Sequence, residues 1–174
     1  MGILIADEEP APESASSSKW DGVNILIADE NPATLEFFSC LLEDRGYATL
    51  TVDSGEAVLR LLSSTMALVE RAWDTNSGEV VMRSILGRSI SVILLGDLMK
   101  PPIDGLDLIR RLRPYDIPVV VATSYGADYT LLAKMAGAEV IIHKFADPTY
   151  LITTIEQAIG HRPRLPLPPD FELV

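Results

Sequence analysis

The segment Val92-Ile93-Leu94-Leu95-Gly96-Asp97, followed by Leu98-Met99-Lys100-Pro101-Pro102-Ile103-Asp104-Gly105, decides how the rest of the chain is read. An unbroken apolar run of this length has no polar face, so it reads as a strand buried on both sides, as in parallel sheets covered by helices. Pro101-Pro102 and Asp104-Gly105 force the chain out into a loop, which leaves the Asp97 carboxylate at the strand's carboxyl end. Alone, such an aspartate is more often a helix cap or a turn former than a nucleophile. Its meaning depends on what the other strands deliver beside it.

Working outward, β-branched apolar runs predict further strands at 24–28, 47–52, 118–123 and 139–143, with the run itself at 91–96. Between them, Leu35, Phe38 and Leu42 recur at helical spacing, as do Val58, Leu62, Met66, Val69 and Trp73. Leu106, Ile109 and Leu112 make a third helical face, Leu132, Met135 and Ala136 a fourth, and Ile152, Ile155 and Ile159 a fifth. Five alternating units of this kind predict an α/β fold: a doubly wound, five-stranded parallel sheet with helices on both faces. At 174 residues, 48% of them hydrophobic, the chain suffices for about one domain with its own core.

Three stretches stand outside that pattern. An arm of residues 1–22 carries a Pro-, Ser- and Ala-rich linker, an insertion lies at about 74–90, and a tail of 161–174 is rich in proline and cannot be helical. The domain proper is then 23–160. The arm also holds a repeat: Ile3-Leu4-Ile5-Ala6-Asp7-Glu8 is identical to Ile25-Leu26-Ile27-Ala28-Asp29-Glu30. Two readings stay open. The first copy is a terminal arm without a fixed role, or it is a strand that adds to an exposed sheet edge of its own molecule or of a homodimer partner, or competes with its twin for the central slot.

The net charge of -11 argues against a nucleic-acid partner, because neutralising phosphates requires clustered Lys and Arg. Arg110, Arg111 and Arg113 read instead as the cationic C-terminal end of a helix. One cysteine makes no intramolecular disulfide, so Cys40 is expected to be a buried or half-buried thiol in a reducing compartment. With no signal-peptide pattern and no span-length apolar segment, the expectation is a soluble cytoplasmic protein with no membrane contact.

In a doubly wound sheet, ligands bind beyond the carboxyl ends of the strands. There the first strand delivers Asp29-Glu30, the third Asp97, the fourth Thr123-Ser124 and the fifth Lys144. Each has an ordinary explanation singly; four at one end of one sheet point to a site. Carboxylates crowded together repel, and either raise a pKa or recruit a cation. Oxygen ligands from Asp97 and from Asp29 or Glu30 suit Mg²⁺, while His143 and His161 lack any zinc-ligand pattern. Lys144 and the Thr123 hydroxyl are placed to meet phosphoryl oxygens, and Asp97 is the candidate nucleophile, yielding an acyl phosphate.

With those residues in order, the chain from about Val23 to Gly160 resembles a receiver domain of bacterial two-component response regulators. The resemblance rests on Asp29-Glu30, on Asp97 with Met99-Lys100-Pro101 and Asp104-Gly105, on Thr123-Ser124 and on Lys144. It implies flavodoxin-like strand order 2-1-3-4-5, Mg²⁺-dependent phosphorylation of Asp97 by a sensor histidine kinase or histidine phosphotransfer protein, and a metal site completed by the Met99 carbonyl. It also implies a signalling protein, not an enzyme, that acts on a downstream protein target by contact; neither arm nor tail is long enough for an output domain. Two positions depart from the family. Ile141 stands three before the lysine where an aromatic residue is usual, and Phe145 follows the lysine where proline is usual. These departures leave a second reading, a pseudo-receiver that binds proteins without phosphorylation. A Mg²⁺-dependent phosphatase would need a second acid beside the nucleophile, and Asp97-Leu98-Met99 offers none.

Overall fold

The computed structural model describes residues 23–73 and 90–160. The arm 1–22, most of the insertion and the tail 161–174 lie outside the described residues, as do the side chains of Met66, Val69 and Trp73. In chain order the elements are β1 (Asn24–Ala28), α1 (Pro32–Glu43), β2 (Ala48–Val52), α2 (Gly55–Trp73) and β3 (Ile90–Leu95). Then come α3 (Gly105–Leu112) with a 3₁₀ turn (Arg113–Tyr115), β4 (Val119–Thr123), α4 (Ala127–Ala136), β5 (Val140–His143) and α5 (Pro148–Gly160). The sheet has order β2-β1-β3-β4-β5, and every described pairing is parallel.

Local sequence explains where the helices start and stop. Asn31 caps α1 by accepting from Ala33 N at 2.9 Å, with Pro32 in the first turn where a missing N–H costs nothing. Asp104 caps α3 in the same way, accepting from Asp107 N at 2.9 Å, while Arg110 and Arg111 occupy the last turn as the helix dipole favours. α4 stops at Gly137, whose φ of 122° is a conformation that side-chain-bearing residues rarely adopt.

Strand alternation divides the interior into two cores. Leu26, Ala28, Ile93, Leu95 and Val121 face α2, α3 and α4, burying Val58, Leu62, Leu108, Ile109, Leu112, Ala133 and Ala136. Ile25, Ile27, Val92, Leu94 and Val120 face α1 and α5, burying Phe38, Leu42, Leu151, Ile152 and Ile155. Full burial of a Leu or Ile contributes about 1.5–3 kcal/mol. The central strands β1, β3 and β4 therefore dominate cohesion, whereas β2 leaves Ala48, Leu50 and Thr51 exposed.

Two sequence expectations are corrected. Cys40 is exposed, because α1 turns Phe38 and Leu42 inward and Cys40 lies between those positions on the outer face. On α4 the inward residues are Ala133 and Ala136, while Leu132 and Met135 are 45% and 68% exposed. Small residues form that helix's inward face: of the expected Leu132, Met135 and Ala136, only Ala136 faces the core.

Candidate phosphoacceptor site

Every strand except β2 delivers at least one predicted site residue to the same sheet end. Asp29 follows β1, Asp97 follows β3, Thr123 ends β4 and Lys144 follows β5. The structure brings them into contact. Lys144 Nζ lies 2.6 Å from Asp29 Oδ2 and 3.3 Å from Asp97 Oδ2. Thr123 Oγ1 donates to Asp97 Oδ1 at 2.6 Å, and Ser124 donates to Asp97 Oδ2 through Oγ at 2.8 Å and through N at 3.3 Å. The two Asp97 oxygens are thus unequal: Oδ2 takes three donors, Oδ1 takes one.

Asp29 serves as a buried post. Only 1% exposed, it accepts from Asn31 N at 2.8 Å through Oδ1 and from Asp97 N at 3.1 Å through Oδ2. It fixes both the start of α1 and the chain at Asp97. Gly96 makes this contact possible: a Cβ there would stand 1.9 Å from Asp29 Oδ2.

Electrostatics follow from these contacts. Burial pushes the Asp97 carboxyl up, but hydrogen bonds from Thr123 and Ser124 and the Lys144 charge outweigh it and leave the pKa below the ordinary value. Burial acts against the Lys144 ammonium, yet the Asp29 hydrogen bond and the two carboxylate charges hold its pKa above normal. Asp97 is therefore ionised and Lys144 charged at neutral pH.

The sequence-predicted metal ligands only partly converge. Glu30 Oε1 accepts from Met99 N at 2.6 Å and Lys100 N at 2.5 Å, with Lys100 Nζ 3.7 Å from Oε2. The Lys100 amide, more than any other group, holds the Glu30 pKa low. Among the described residues no three His, Cys, Asp or Glu side chains gather into a metal cluster. Lys144 Nζ stands between Asp29 and Asp97, and Glu30 is turned onto backbone amides. The donor set nevertheless fits Mg²⁺ by chemistry, since Asp29, Glu30, Asp97 and the Met99 carbonyl offer only hard oxygens. Glu30 already lies against the Met99 peptide.

Sequence reasoning missed two contributors. Ser124 was read as part of a pair with Thr123, yet its hydroxyl is a direct Asp97 donor. Tyr129, in the first turn of α4, packs its ring against that of Tyr125, centroids 5.3 Å apart and planes tilted by 45°, and points its hydroxyl at Gly105, where a Cβ would come within 2.8 Å. That hydroxyl is buried and has no hydrogen-bond partner among the described residues. Burial, then the negative charges of Asp97 and Asp104, raise its pKa to about 12. A buried, unpaired hydroxyl costs about 1–3 kcal/mol. Tyr129→Phe is accordingly expected to raise stability by about 1 kcal/mol in urea unfolding; a loss of stability would show that the hydroxyl has a partner in solution. No sequence signal marks this residue, because its position depends on the notch at Gly105.

Comparisons with known proteins place the fold. No family model matches the chain. It is 27% identical over 134 residues to the response regulator GtcR of Aneurinibacillus migulanus, covering 76% of this chain and 46% of that protein. It is 24% identical over 132 residues to the response regulator SaeR of Staphylococcus epidermidis, covering 74% and 47%. The chain thus spans about half the length of these two response regulators. An uncharacterised 14.6 kDa protein of Leptolyngbya boryana is 24% identical over 153 residues, covering 85% of this chain and 95% of that protein. Among solved structures, a receiver domain protein of Clostridium thermocellum superposes with a TM-score of 0.60 at 24% identity, covering 79% of this chain and 94% of that one. The receiver domain of a histidine kinase from Syntrophus aciditrophicus does so with a TM-score of 0.61 at 21% identity, covering 84% and 98%. The fold is that of response-regulator receiver domains, with the strand order and all-parallel sheet that the sequence resemblance implied.

Proposed function

We propose that this chain is a phosphoacceptor of two-component signalling, with Asp97 as the acceptor. The observation that carries the reading is the donor arrangement around Asp97: an ionised carboxylate facing Lys144, Thr123 and Ser124 at the open end of the sheet. In the proposed step, Asp97 Oδ1, the less encumbered oxygen, bonds to phosphorus as the P–N bond of a phosphohistidine on a kinase or phosphotransfer protein breaks. The released imidazole nitrogen takes up a proton. Lys144 neutralises charge on the transferred group, and Thr123 is placed to pass its hydrogen bond from the carboxylate to a phosphoryl oxygen. Bound Mg²⁺, held by Asp29, Glu30, Asp97 and the Met99 carbonyl, would supply further neutralisation of phosphoryl charge. The products are an acyl phosphate and free histidine, so the chain signals by changing its contacts with a downstream protein and turns over no substrate of its own.

Incubation with Mg²⁺ and a small phosphodonor such as acetyl phosphate tests the reading. The expected result is a gain of one phosphoryl group by intact mass, located on the peptide bearing Asp97 and abolished by EDTA. The pseudo-receiver reading draws on Ile141, which is half-buried against the core and has no ring to rotate. Absence of both labelling and Mg²⁺ binding would move the assignment there. Among the described residues no helix is long and apolar enough to cross a membrane.

A further inference from the structure

The repeated hexapeptide and the bare edge of the sheet fit one another. β2 is an edge strand, with β1 on one side and no neighbour among the described residues on the other. It is also the least covered strand, and Leu50 is 43% exposed at its centre. An uncovered edge of this kind is a template for a further strand. The strand that pairs with β2 from within is Ile25-Leu26-Ile27-Ala28, set against Thr49, Leu50, Thr51 and Val52 in parallel register. The arm carries the same four residues as Ile3-Leu4-Ile5-Ala6.

We propose that residues 3–6 of the arm add in parallel to the free edge of β2 in the same molecule, making a sixth strand that flanks β2 as β1 does. The exposed Leu50 and the length of the arm support this occupant beyond the repeat. Strand alternation permits only shifts by two residues once faces are matched. Setting Leu4 beside Leu50, as Leu26 is set beside it on the inner side, covers the exposed leucine. It also puts Ile3 and Ile5 on the face of Ile25 and Ile27, against which α1 packs.

Chain length favours addition within one molecule. Residues 9–22 separate the second acidic residue of the arm copy from Val23. A parallel return must run back about 17 Å along a five-residue strand and about 10 Å across two interstrand spacings. Fourteen residues, 9–22, reach about 46 Å when extended, and exceed the roughly twelve that a parallel crossover requires. The Pro- and Ser-rich composition of that stretch suits an irregular connection across the sheet better than a helix.

Disulfide trapping tests both the register and the occupant. Cys40→Ala removes the lone thiol from the full chain, and Leu4→Cys with Leu50→Cys then places two thiols on adjacent strands, within the roughly 4.4–6.8 Å Cα separation that a disulfide spans. The expected result on mild oxidation is a monomer that loses two hydrogens by mass, with a Leu4–Leu50 cross-link. A control carrying Ile5→Cys with Leu50→Cys, whose thiols face opposite sides, should cross-link at least about fivefold more slowly. Equal rates for the two pairs would mean an unpaired arm, and absence of any cross-link would mean that the edge is not its seat. A cross-link formed only between molecules would assign the strand to a partner copy. Each of these three results overturns the proposal.

Discussion

Asp97→Asn is expected to reduce phosphoryl incorporation to background while leaving the fold intact. An amide oxygen is too weak a nucleophile to form the acyl phosphate, so the chemistry is lost at its first bond. The surroundings, however, accept the replacement. With its carbonyl oxygen turned to the Ser124 and Lys144 donors, the amide nitrogen of the new residue can donate to Thr123 Oγ1, which already accepts from Tyr125 N at 3.1 Å and has a lone pair to spare. Asp29 remains to neutralise Lys144 at 2.6 Å. The pH profile supplies a second readout. The folded pKa of Asp97 lies below the ordinary value of 3.8, so its carboxylate stabilises the fold at pH above that value and ceases to do so as pH falls through the folded pKa. The variant should lack that part of the acid limb when urea midpoints are compared from neutral pH downward. Retained labelling in the variant would place the phosphoryl group on another residue. A collapse of the far-UV circular dichroism would show that the Asp97 charge is structural.

How far the sequence foretold this site depends on which physical relation is in question. Asp97, Thr123 and Lys144 were legible because each sits at the end of a buried strand, and a doubly wound sheet necessarily collects strand ends on one side. The central strands were legible because short, β-branched apolar runs bounded by turn residues favour strands. Boundaries moved by a residue or so, with β2 starting at Ala48 where position 47 was expected and β3 starting at Ile90 where position 91 was expected. The distribution of charge within the site was less legible. The crowded carboxylates pointed to a cation, but not to Lys144 pairing with Asp29 at 2.6 Å, nor to Glu30 turning to the amides of Met99 and Lys100. Such choices are made by rotamers and by the loop after β3. The inward face of α4 was only partly legible, for a different reason. Leu132 and Met135 are more apolar than Ala133 and Ala136, yet the alanines are buried and the larger side chains exposed.

Gly96→Ala is expected to be among the most damaging single-methyl substitutions in the domain. Gly96 is not required for backbone conformation, since it is absent from the positive-φ glycines Gly46 and Gly137. The constraint is space: the new Cβ would lie 1.9 Å from Oδ2 and 2.7 Å from Cγ of Asp29, closer than any real contact. Gly96 cannot retreat easily, because its N–H donates to Ala28 O at 2.7 Å and its neighbour's N–H, that of Asp97, donates to Asp29. The Asp29 side chain must therefore swing away from Lys144, whose side chain is 9% exposed, and from the Asp97 amide. Breaking a buried ion pair while leaving one charge behind costs about 3–5 kcal/mol. For a domain of this size that corresponds to a fall in melting temperature of roughly 10 °C or more. The cause is separable from general strain by a double-mutant cycle. If the methyl acts through Asp29, then Gly96→Ala combined with Asp29→Ala should be no less stable than Asp29→Ala alone, because the group that clashes has been removed. Additive losses would place the damage in the β3 backbone instead. A loss below about 1 kcal/mol in the single variant would mean that Asp29 has another rotamer available, and that the tight seat between Gly96 and Lys144 is not what holds the acceptor in place.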